Sequence, residues 1–248
     1  MAYQRAYWPS KRVNITQGYG LLSSTHKYSY ALDNGGSYAL FAPFDCKVTK
    51  LYVPKKKNGN LDTSHSFEVW LTSTKKVLCA NGIYDYLTIS ITHPYDIHKL
   101  KLNQEFKQFQ SLGITTAVMT GTSTGPHAHI ELSLGKKAGW DPETIKKRGQ
   151  YVNVNKIKPE EYLFITEDTQ VIKDTYKLKK YKFYKESELT YKVVGVPSEP
   201  LYIRDKKTNK IIGKLYNGND VIKFDNNTRC LVYHYEALGI TYKKYLKK

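Results

Sequence analysis

The chain has few cysteines, no long apolar run and little helical pattern, and each shortage excludes a class of protein. Its 248 residues contain three cysteines, Cys46, Cys79 and Cys230. The odd count and the lack of any Cys-x-x-Cys spacing argue against a disulfide framework and a structural zinc knuckle, so we expect three buried free thiols. No run of about 18 apolar residues occurs, and we therefore expect no membrane-spanning helix.

The first ten residues lack the apolar core of a secretory signal peptide. We therefore expect a protein that reaches its site of action by a route other than its own export signal.

Acidic residues are also scarce, with 22 Asp and Glu against 39 Lys and Arg, which gives a formal net charge of +17. Residues 166–248 hold 18 basic and 10 acidic residues, a net of +8, and residues 1–165 carry the other +9. Three explanations compete: nucleic-acid binding, attraction to an acidic bacterial wall, and a solvated lysine-rich surface without a specific partner. No helix-turn-helix, zinc-finger or RNA-binding signature supports the first.

Short β-like runs separated by turn signals take the place of helical pattern. They lie at residues 67–72, 87–92 and 129–134, and Asn58-Gly59 within the turn 55–60 is a hairpin signal. The sequence therefore predicts a mainly β protein with few helices.

A second group of β patterns follows a polar stretch rich in Lys and Tyr at residues 167–188. Five short runs follow at 201–204, 211–215, 221–224, 229–233 and 240–245. Such close spacing predicts a small antiparallel barrel. We therefore predict an N-terminal domain over 1–165, a linker over 166–187 and a barrel over 188–248.

The segment Gly121-Thr-Ser-Thr-Gly-Pro-His-Ala-His-Ile-Glu131 is the richest in chemistry. In a strand, residues i and i+2 point to the same face, so His127 and His129 would project together while Ile130 and Leu132 face a core. Two neighbouring imidazoles suit a metal site in which one binds the ion and the other carries out proton chemistry.

Further candidate ligands lie upstream. Hydrolytic zinc sites use three nitrogen or oxygen ligands, and His26, Asp33 and His129 supply such a set, with Asp33 expected at the end of a strand. His127 is then available as a base. His93, after the run 87–92, is a fifth candidate, with His98 as its alternative. We interpret the two other histidines as surface or core residues: His65 and His234.

These motifs resemble the lysostaphin-type (LytM-like) zinc endopeptidases, which cleave peptide bonds in bacterial peptidoglycan. The resemblance covers about residues 10–165 and is carried, in order, by Gln17-Gly-Tyr-Gly20, His26 with Asp33, Ala42-Pro43 and Ser123-Thr-Gly-Pro-His-Ala-His129. The spacing of His26 and Asp33 is wider than in the commonest form of the family. With Gly139-Trp140 and residues 157–164, it favours a phage-encoded branch.

The resemblance implies a role for each candidate residue. Zn²⁺ would be held by His26, Asp33 and His129. His127 would be the general base that takes a proton from the attacking water, and His93 would stabilise the oxyanion of the tetrahedral intermediate. The fold implied is an antiparallel β-sheet metallopeptidase domain.

The C-terminal runs resemble bacterial SH3-like wall-binding modules. The likeness rests on Leu201-Tyr-Ile-Arg204, Ile211-Ile-Gly-Lys-Leu215 and the turn at Asn217-Gly218 before Val221. The alternative is a barrel that only packs against the enzyme or a virion neighbour.

Together these observations predict a phage peptidoglycan hydrolase that cleaves stem or cross-bridge peptides of Gram-positive walls during entry or lysis. Its expected partners are peptidoglycan, teichoic acids and other phage tail proteins, with no nucleic acid. We expect it in the virion tail, or released from the host cytoplasm at lysis. The alternative is a structural tail-tip protein with weak or absent activity. A secreted autolysin or bacteriocin is disfavoured because no export signal is seen.

Overall fold

The computed structural model describes residues 3–19, 26, 30–136, 156–172, 181–234 and 236–248. Gly20, Gly139-Trp140 and the middle of the predicted linker lie outside the described residues. The described chain is mainly β, with antiparallel sheets and two short α-helices, so the predicted fold class is confirmed. No helix in these ranges has the length and apolar character to cross a membrane.

The elements are numbered in chain order. The strands are β1 (Arg12–Val13), β2 (Ile15–Gln17), β3 (Leu32–Gly35), β4 (Ala39–Phe41), β5 (Cys46–Tyr52), β6 (Glu68–Ser73), β7 (Val77–Leu78), β8 (Tyr84–Asp85), β9 (Leu87–Thr92), β10 (Glu105–Phe106), β11 (Ser111–Thr115), β12 (His127–Leu134), β13 (Lys156–Ile157), β14 (Phe164–Ile165), β15 (Gln170–Val171), β16 (Tyr184–Lys185), β17 (Thr190–Val193), β18 (Leu201–Arg204), β19 (Ile211–Leu215), β20 (Asp220–Lys223), β21 (Arg229–His234), β22 (Ala237–Tyr242) and β23 (Leu246–Lys247). The α-helices are α1 (Pro159–Tyr162) and α2 (Glu186–Leu189), and 3₁₀ turns span Tyr95–Lys99 and Lys243–Tyr245.

An eight-stranded antiparallel sheet forms the first half of the molecule. Its strand order is β10-β5-β6-β9-β12-β3-β2, and β13 pairs with the second half of β12. The predicted strands at 67–72, 87–92 and 129–134 correspond to β6, β9 and β12, although β12 begins two residues earlier, at His127. These three strands lie side by side at the centre of the sheet.

The main hydrophobic core covers one face of this sheet. Ala128, Ile130 and Leu132 of β12 are buried in it, together with Leu71 and Ile89 of the neighbouring strands. Because strand residues alternate between faces, the histidines between them are directed to the opposite face. The predicted division of β12 into a core side and a histidine side is therefore confirmed.

The three cysteines Cys46, Cys79 and Cys230 are buried and free, which confirms the prediction of buried thiols. Burial raises the pKa of the Cys46 thiol to about 12, so this thiol stays protonated at physiological pH.

The described part of the predicted linker packs against the first half of the chain. Strand β15 pairs in parallel with β1, β16 pairs in parallel with β14, and Tyr181 and Phe183 are buried in the main core. Strands β15 and β16 therefore lie in a stretch that the sequence predicts only as a linker. Strand β16 follows directly after Tyr181 and Phe183, so the buried aromatic side chains hold this part of the linker against the core. The domain boundaries themselves stay a prediction.

A seven-stranded antiparallel sheet follows, in the order β19-β18-β22-β21-β20-β17-β23. Four of its strands match the predicted runs closely. The last predicted strand, 240–245, has the expected length but lies three residues earlier, because β22 spans Ala237–Tyr242 and a 3₁₀ turn follows. Strands β17 and β23 were not predicted. This sheet has its own buried cluster, which includes Val193, Ile203 and Val232.

An aromatic contact links the C-terminal sheet to the short β7–β8 hairpin of the first half. The Tyr3 ring stacks on Tyr84 of the first half at 4.2 Å between centroids and on Tyr233 of β21 at 5.3 Å. The backbone amide of Tyr3 also donates to the Tyr233 hydroxyl. Tyr3 of the N-terminal segment therefore lies between the β7–β8 hairpin and the C-terminal sheet.

Gly121 opens the histidine-bearing segment at a position where only glycine fits. Its φ is +72°, and a Cβ there would lie 2.1 Å from Ser66 Oγ and 2.8 Å from Ser66 N. Its amide donates to the Thr63 carbonyl at 2.9 Å. The glycine thus lets the segment before β12 lie directly against the 63–66 loop.

We predict that Gly121→Ala lowers the free energy of unfolding by about 1–3 kcal/mol, because alanine resists a positive φ and its Cβ collides with Ser66. Urea denaturation measures this. The matched control is Gly125→Ala in the same segment, where the added Cβ meets nothing within 4 Å and φ is not left-handed. Equal unfolding midpoints for the two variants would contradict the close approach.

Candidate metal and catalytic site

The pairing register of β12 brings the candidate residues together. His129 lies directly opposite Asp33 on β3 and opposite Thr92 on β9, one residue before His93. Directly opposed residues in an antiparallel pair have Cβ atoms about 5 Å apart on the same face. The expectation that Asp33 ends a strand is wrong: it is the second residue of β3, because the chain pairs with β2 and β12 on both sides.

Three of these side chains form a compact group of metal-binding type. One donor atom from each of His26, Asp33 and His129 lies within 4.8 Å of the others. Asp33 Oδ1 is 3.5 Å from His26 Nε2 and 3.0 Å from His129 Nδ1. His26 and Asp33 are buried and His129 is partly exposed, so the group is open on the side of His129.

The donor set fits Zn²⁺ in its chemistry. Two imidazole nitrogens and one carboxylate oxygen are typical of a catalytic zinc site that keeps a position for water. Burial lowers the pKa of His26 to about 4, so its ring is neutral at physiological pH, as a metal ligand must be. Burial alone would raise the pKa of Asp33, but the hydrogen bond from His129 and the neighbouring imidazoles lower it overall, which favours the ionised carboxylate.

His127 lies at the rim of this group with a defined proton arrangement. Its Nδ1 is 2.8 Å from the Gly125 carbonyl, which can only accept, so Nδ1 carries the proton. The neutral ring therefore presents the lone pair of Nε2, which lies 3.9 Å from Asp33 Oδ1. This orientation suits a proton acceptor.

His93 lies next to His127 and is held in a strained backbone conformation. Its ring centroid is 4.7 Å from that of His127 and 5.9 Å from that of His129. Its φ is +89°, which is unusual for a residue with a side chain and is stabilised by hydrogen bonds with Phe67 and Thr120. Burial lowers the pKa of His93 to about 4.

The other histidines have different surroundings. His98 Nδ1 is 2.7 Å from the Tyr95 carbonyl, within the 3₁₀ turn after β9. His65 is exposed and pairs with Asp62, and His234 Nδ1 is 2.7 Å from the Asp220 carbonyl. His93, and not His98, therefore contacts the other histidines of the site.

Sequence reasoning missed a buried ion pair that contacts the site. Glu131 shares the face of His129, and its Oε1 lies 3.5 Å from His129 Nε2. The other carboxylate oxygen contacts the ammonium group of Lys156 on β13, and both side chains are buried. Thus Nδ1 of His129 faces Asp33, while Nε2 of the same ring faces Glu131. A carboxylate on the second nitrogen is an arrangement that orients metal-binding histidines.

A polar row continues from Glu131 across the sheet. Glu131 lies opposite Ser90 on β9, and Ser90 lies opposite Trp70 on β6. The Ser90 hydroxyl donates to Glu68 Oε1 at 2.9 Å, and Lys50 pairs with the same carboxylate at 3.3 Å. The site face of the sheet is therefore polar over at least three strands.

Comparison with known proteins finds similarity in sequence to a phage protein. No protein-family model matches the chain. It is 30% identical over 141 residues to "Morphogenesis protein 1" of Bacillus phage B103, an alignment that covers 55% of this chain and 34% of that protein. The match thus spans about a third of the length of the phage protein.

Two solved structures show distant likeness. One is the SpoIIQ–SpoIIIAH pore-forming complex, with a TM-score of 0.37 and 11% identity over 62% of this chain and 94% of that chain. The other is the antimicrobial peptidase lysostaphin from Staphylococcus simulans, with a TM-score of 0.35 and 18% identity over 100% of this chain and 92% of that chain. At such TM-scores neither likeness bears on the fold or the function.

We predict that Glu131→Gln weakens zinc binding about 10–100-fold, because the neutral amide holds the His129 ring less firmly. It also lowers the free energy of unfolding by about 3 kcal/mol, since Lys156 is left buried without its anion. Chelator competition and urea denaturation measure the two effects. Glu105→Gln on the exposed strand β10 is the control. Unchanged zinc affinity in Glu131→Gln would contradict this role.

We predict that the metal-free protein loses stability as the pH falls from about 6.5 toward 4. His26 and His93 have folded-state pKa values near 4, below the ordinary value of 6.5. The unfolded chain therefore binds protons first, and the free energy of unfolding, intact above pH 6.5, declines in this window. Urea midpoints measured between pH 7.5 and 4.5 test this. His93→Gln should show a shallower decline, and identical slopes would contradict the prediction.

Proposed function

We propose that the chain is a lysostaphin-type zinc endopeptidase that cleaves peptide bonds in the peptidoglycan of Gram-positive bacteria. The observation that carries this proposal is the His26, Asp33 and His129 donor set, with His127 and His93 at its rim. One carboxylate with four imidazoles on one sheet face is an arrangement for hydrolysis rather than for packing. The resemblance of the sequence motifs to that family supports the same function.

In this proposal zinc is held by His26, Asp33 and His129. When bound, zinc would polarise the scissile carbonyl and make water acidic enough to attack near neutral pH. His127 accepts the proton of the attacking water at Nε2, because Nδ1 is occupied by the Gly125 carbonyl. It then returns that proton to the departing amine.

His93 donates a hydrogen bond to the oxyanion in the proposed reaction. Whether its Nε2 carries the proton for this bond depends on the hydrogen bond between Ser66 and Nδ1. At physiological pH the ring is neutral, so only one nitrogen carries a proton. Nδ1 lies 3.2 Å from both the Ser66 hydroxyl, which can donate, and the Thr120 carbonyl, which can only accept. Donation from Ser66 leaves the proton on Nε2, where it can reach the substrate.

Substrate reaches the site from the side of β12. The side chains of His127 and His129 retain 15% and 19% of their exposure, whereas His26 retains 4%. The peptide therefore approaches over His127 and His129. The buried His26 would bind the metal from the side away from the substrate.

The C-terminal sheet, over residues 188–248, acts as an SH3-like wall-binding module in this proposal. The net charge of +8 in residues 166–248 supports attraction to the acidic wall of Gram-positive bacteria. Keeping the enzyme on its polymer raises the local substrate concentration without adding contacts at the reacting bond.

The phage relative supports a place in a virion. That relative is called a morphogenesis protein, which supports a role in the virion over release at lysis. The same observation supports the second candidate function, a structural tail-tip protein in which this site is weakly active or inactive. The experiment below separates the two.

We expect the zinc-loaded protein to release new amino termini from purified Gram-positive peptidoglycan, detected by mass spectrometry. His129→Ala and Asp33→Ala should lose both zinc and activity, because each removes a ligand. His127→Ala should keep zinc and lose about 10²–10⁴-fold in rate, because it removes only the base.

His98→Ala is the matched control and should keep zinc and activity. Digestion by His127→Ala at the wild-type rate would refute the base assignment. One zinc per chain without release from any wall would favour the structural tail protein.

A further inference from the structure

A second concave site lies on the C-terminal sheet, between the segment before β18 and the strands β21 and β22. It is a cavity of about 290 Å³. Its lining includes two arginines, three tyrosines and one acidic residue: Arg204, Arg229, Tyr202, Tyr242, Tyr245 and Glu199. Nothing in the proposed peptidase chemistry uses this cavity.

The two arginines are fixed in place without an acidic partner. Arg204 Nη1 donates to the Asn209 backbone carbonyl at 3.0 Å, and Arg229 Nη2 donates to Asn209 Oδ1 at 2.9 Å. Among the described residues, neither guanidinium forms an ion pair with a carboxylate. Each guanidinium has five donors, so both keep donors for an anion while their positions are set by one asparagine.

Asn209 is itself held firmly. It adopts φ +59°, and its amide donates to the Asp205 carbonyl at 2.9 Å, which closes the β18–β19 turn. Tyrosine rings flank both cations, with the Arg204 guanidinium carbon 5.7 Å from the Tyr202 ring centroid and that of Arg229 5.8 Å from that of Tyr242. The arginines are therefore prearranged, which lowers the entropy lost when a ligand binds.

Lysines close in sequence to the lining residues favour a repeating anion. The β18–β19 turn carries Lys206, Lys207 and Lys210, and the 3₁₀ turn after β22 carries Lys243 and Lys244. The one acid of the first turn, Asp205, accepts from the backbone amides of that turn. A single small anion would use the arginine pair alone, whereas a polyanion would also use the flanking lysines.

We propose that this cavity binds a phosphate group of a polyol-phosphate wall polymer. Paired guanidinium groups match the oxygens of a phosphate, the flanking lysines receive the neighbouring phosphates, and the tyrosines cover the polyol between them. Glu199 also lines the cavity, and its exposed carboxylate disfavours a second anion beside it. This inference rests on the proposed action at the cell wall and supplies its anchoring ligand.

The test is direct binding of a fluorescent glycerol-phosphate hexamer to the full chain, measured by titration at two salt concentrations. The double variant Arg204→Gln/Arg229→Gln should bind at least about tenfold more weakly. Lys56→Gln/Lys57→Gln, which removes the same charge from an exposed turn of the first half, should change affinity less than about twofold. Arg229→Gln alone, at an exposed position, gives an intermediate loss and guards against misfolding of the double variant.

Competitors identify the chemistry recognised. Inorganic phosphate should compete weakly, and a stem tetrapeptide with a free carboxylate should not compete. The proposal would be overturned if the arginine and lysine variants lost hexamer binding equally. It would also be overturned if the peptide, or an oligonucleotide of equal charge, bound more tightly than the hexamer.

Failure here is distinguishable from failure of the proposed function. Digestion is therefore measured separately, with the wild-type protein on peptidoglycan stripped of phosphate polymers, where the anchoring ligand is absent. Absence of hexamer binding with digestion intact refutes only the anchoring site. Hexamer binding without digestion refutes only the peptidase.

Discussion

The pairing register of β12 between β3 and β9 is the constraint on which the candidate site depends. It sets His129 opposite Asp33 on one side and beside the end of β9, where His93 follows, on the other. A slip of one residue would turn both strand histidines into the core and Ile130 out to the solvent face. The apolar residues of β12 oppose that slip. Packing on one face of the sheet therefore keeps the histidines of the other face in position.

The second feature of the site is that hydrogen bonds fix where its protons lie. Gly125 occupies Nδ1 of His127, while Ser66 and Thr120 compete for Nδ1 of His93. The backbone strain at His93 and the close approach of Gly121 to Ser66 lie in the same corner of the sheet. Both belong to the segments that position proton-carrying groups, where strain is commonly retained in proteins.

Much of this could be predicted from the sequence because the relevant signals are local. The alternation in β12 places its histidines on one face, and five short strands of the C-terminal sheet follow from turn residues and period-two pattern. Buried thiols follow from their number and spacing.

Other features depend on partners distant along the chain, and the sequence carried no sign of them. Lys156 pairs with Glu131 from 25 residues away, and nothing near it in sequence marks a buried cation. Glu131 itself could have been found, since it is two residues beyond His129 on the same face. The position of Asp33 inside β3 depends on the pairing of β3 with strands on both sides. The short strands β17 and β23 depend on their pairing with each other at the end of the second sheet.

The measurement that tests the central claim most directly is zinc K-edge X-ray absorption on the protein loaded with one equivalent of zinc. The account predicts a first shell of nitrogen and oxygen at about 2.0–2.2 Å, with the outer-shell scattering of two imidazoles. Zinc added to His129→Ala, which should not hold the metal, should show the oxygen shell of the hydrated ion without imidazole scattering. A sulfur shell at about 2.3 Å, or a shell without imidazole scattering, would contradict the assignment of His26, Asp33 and His129 as the metal site.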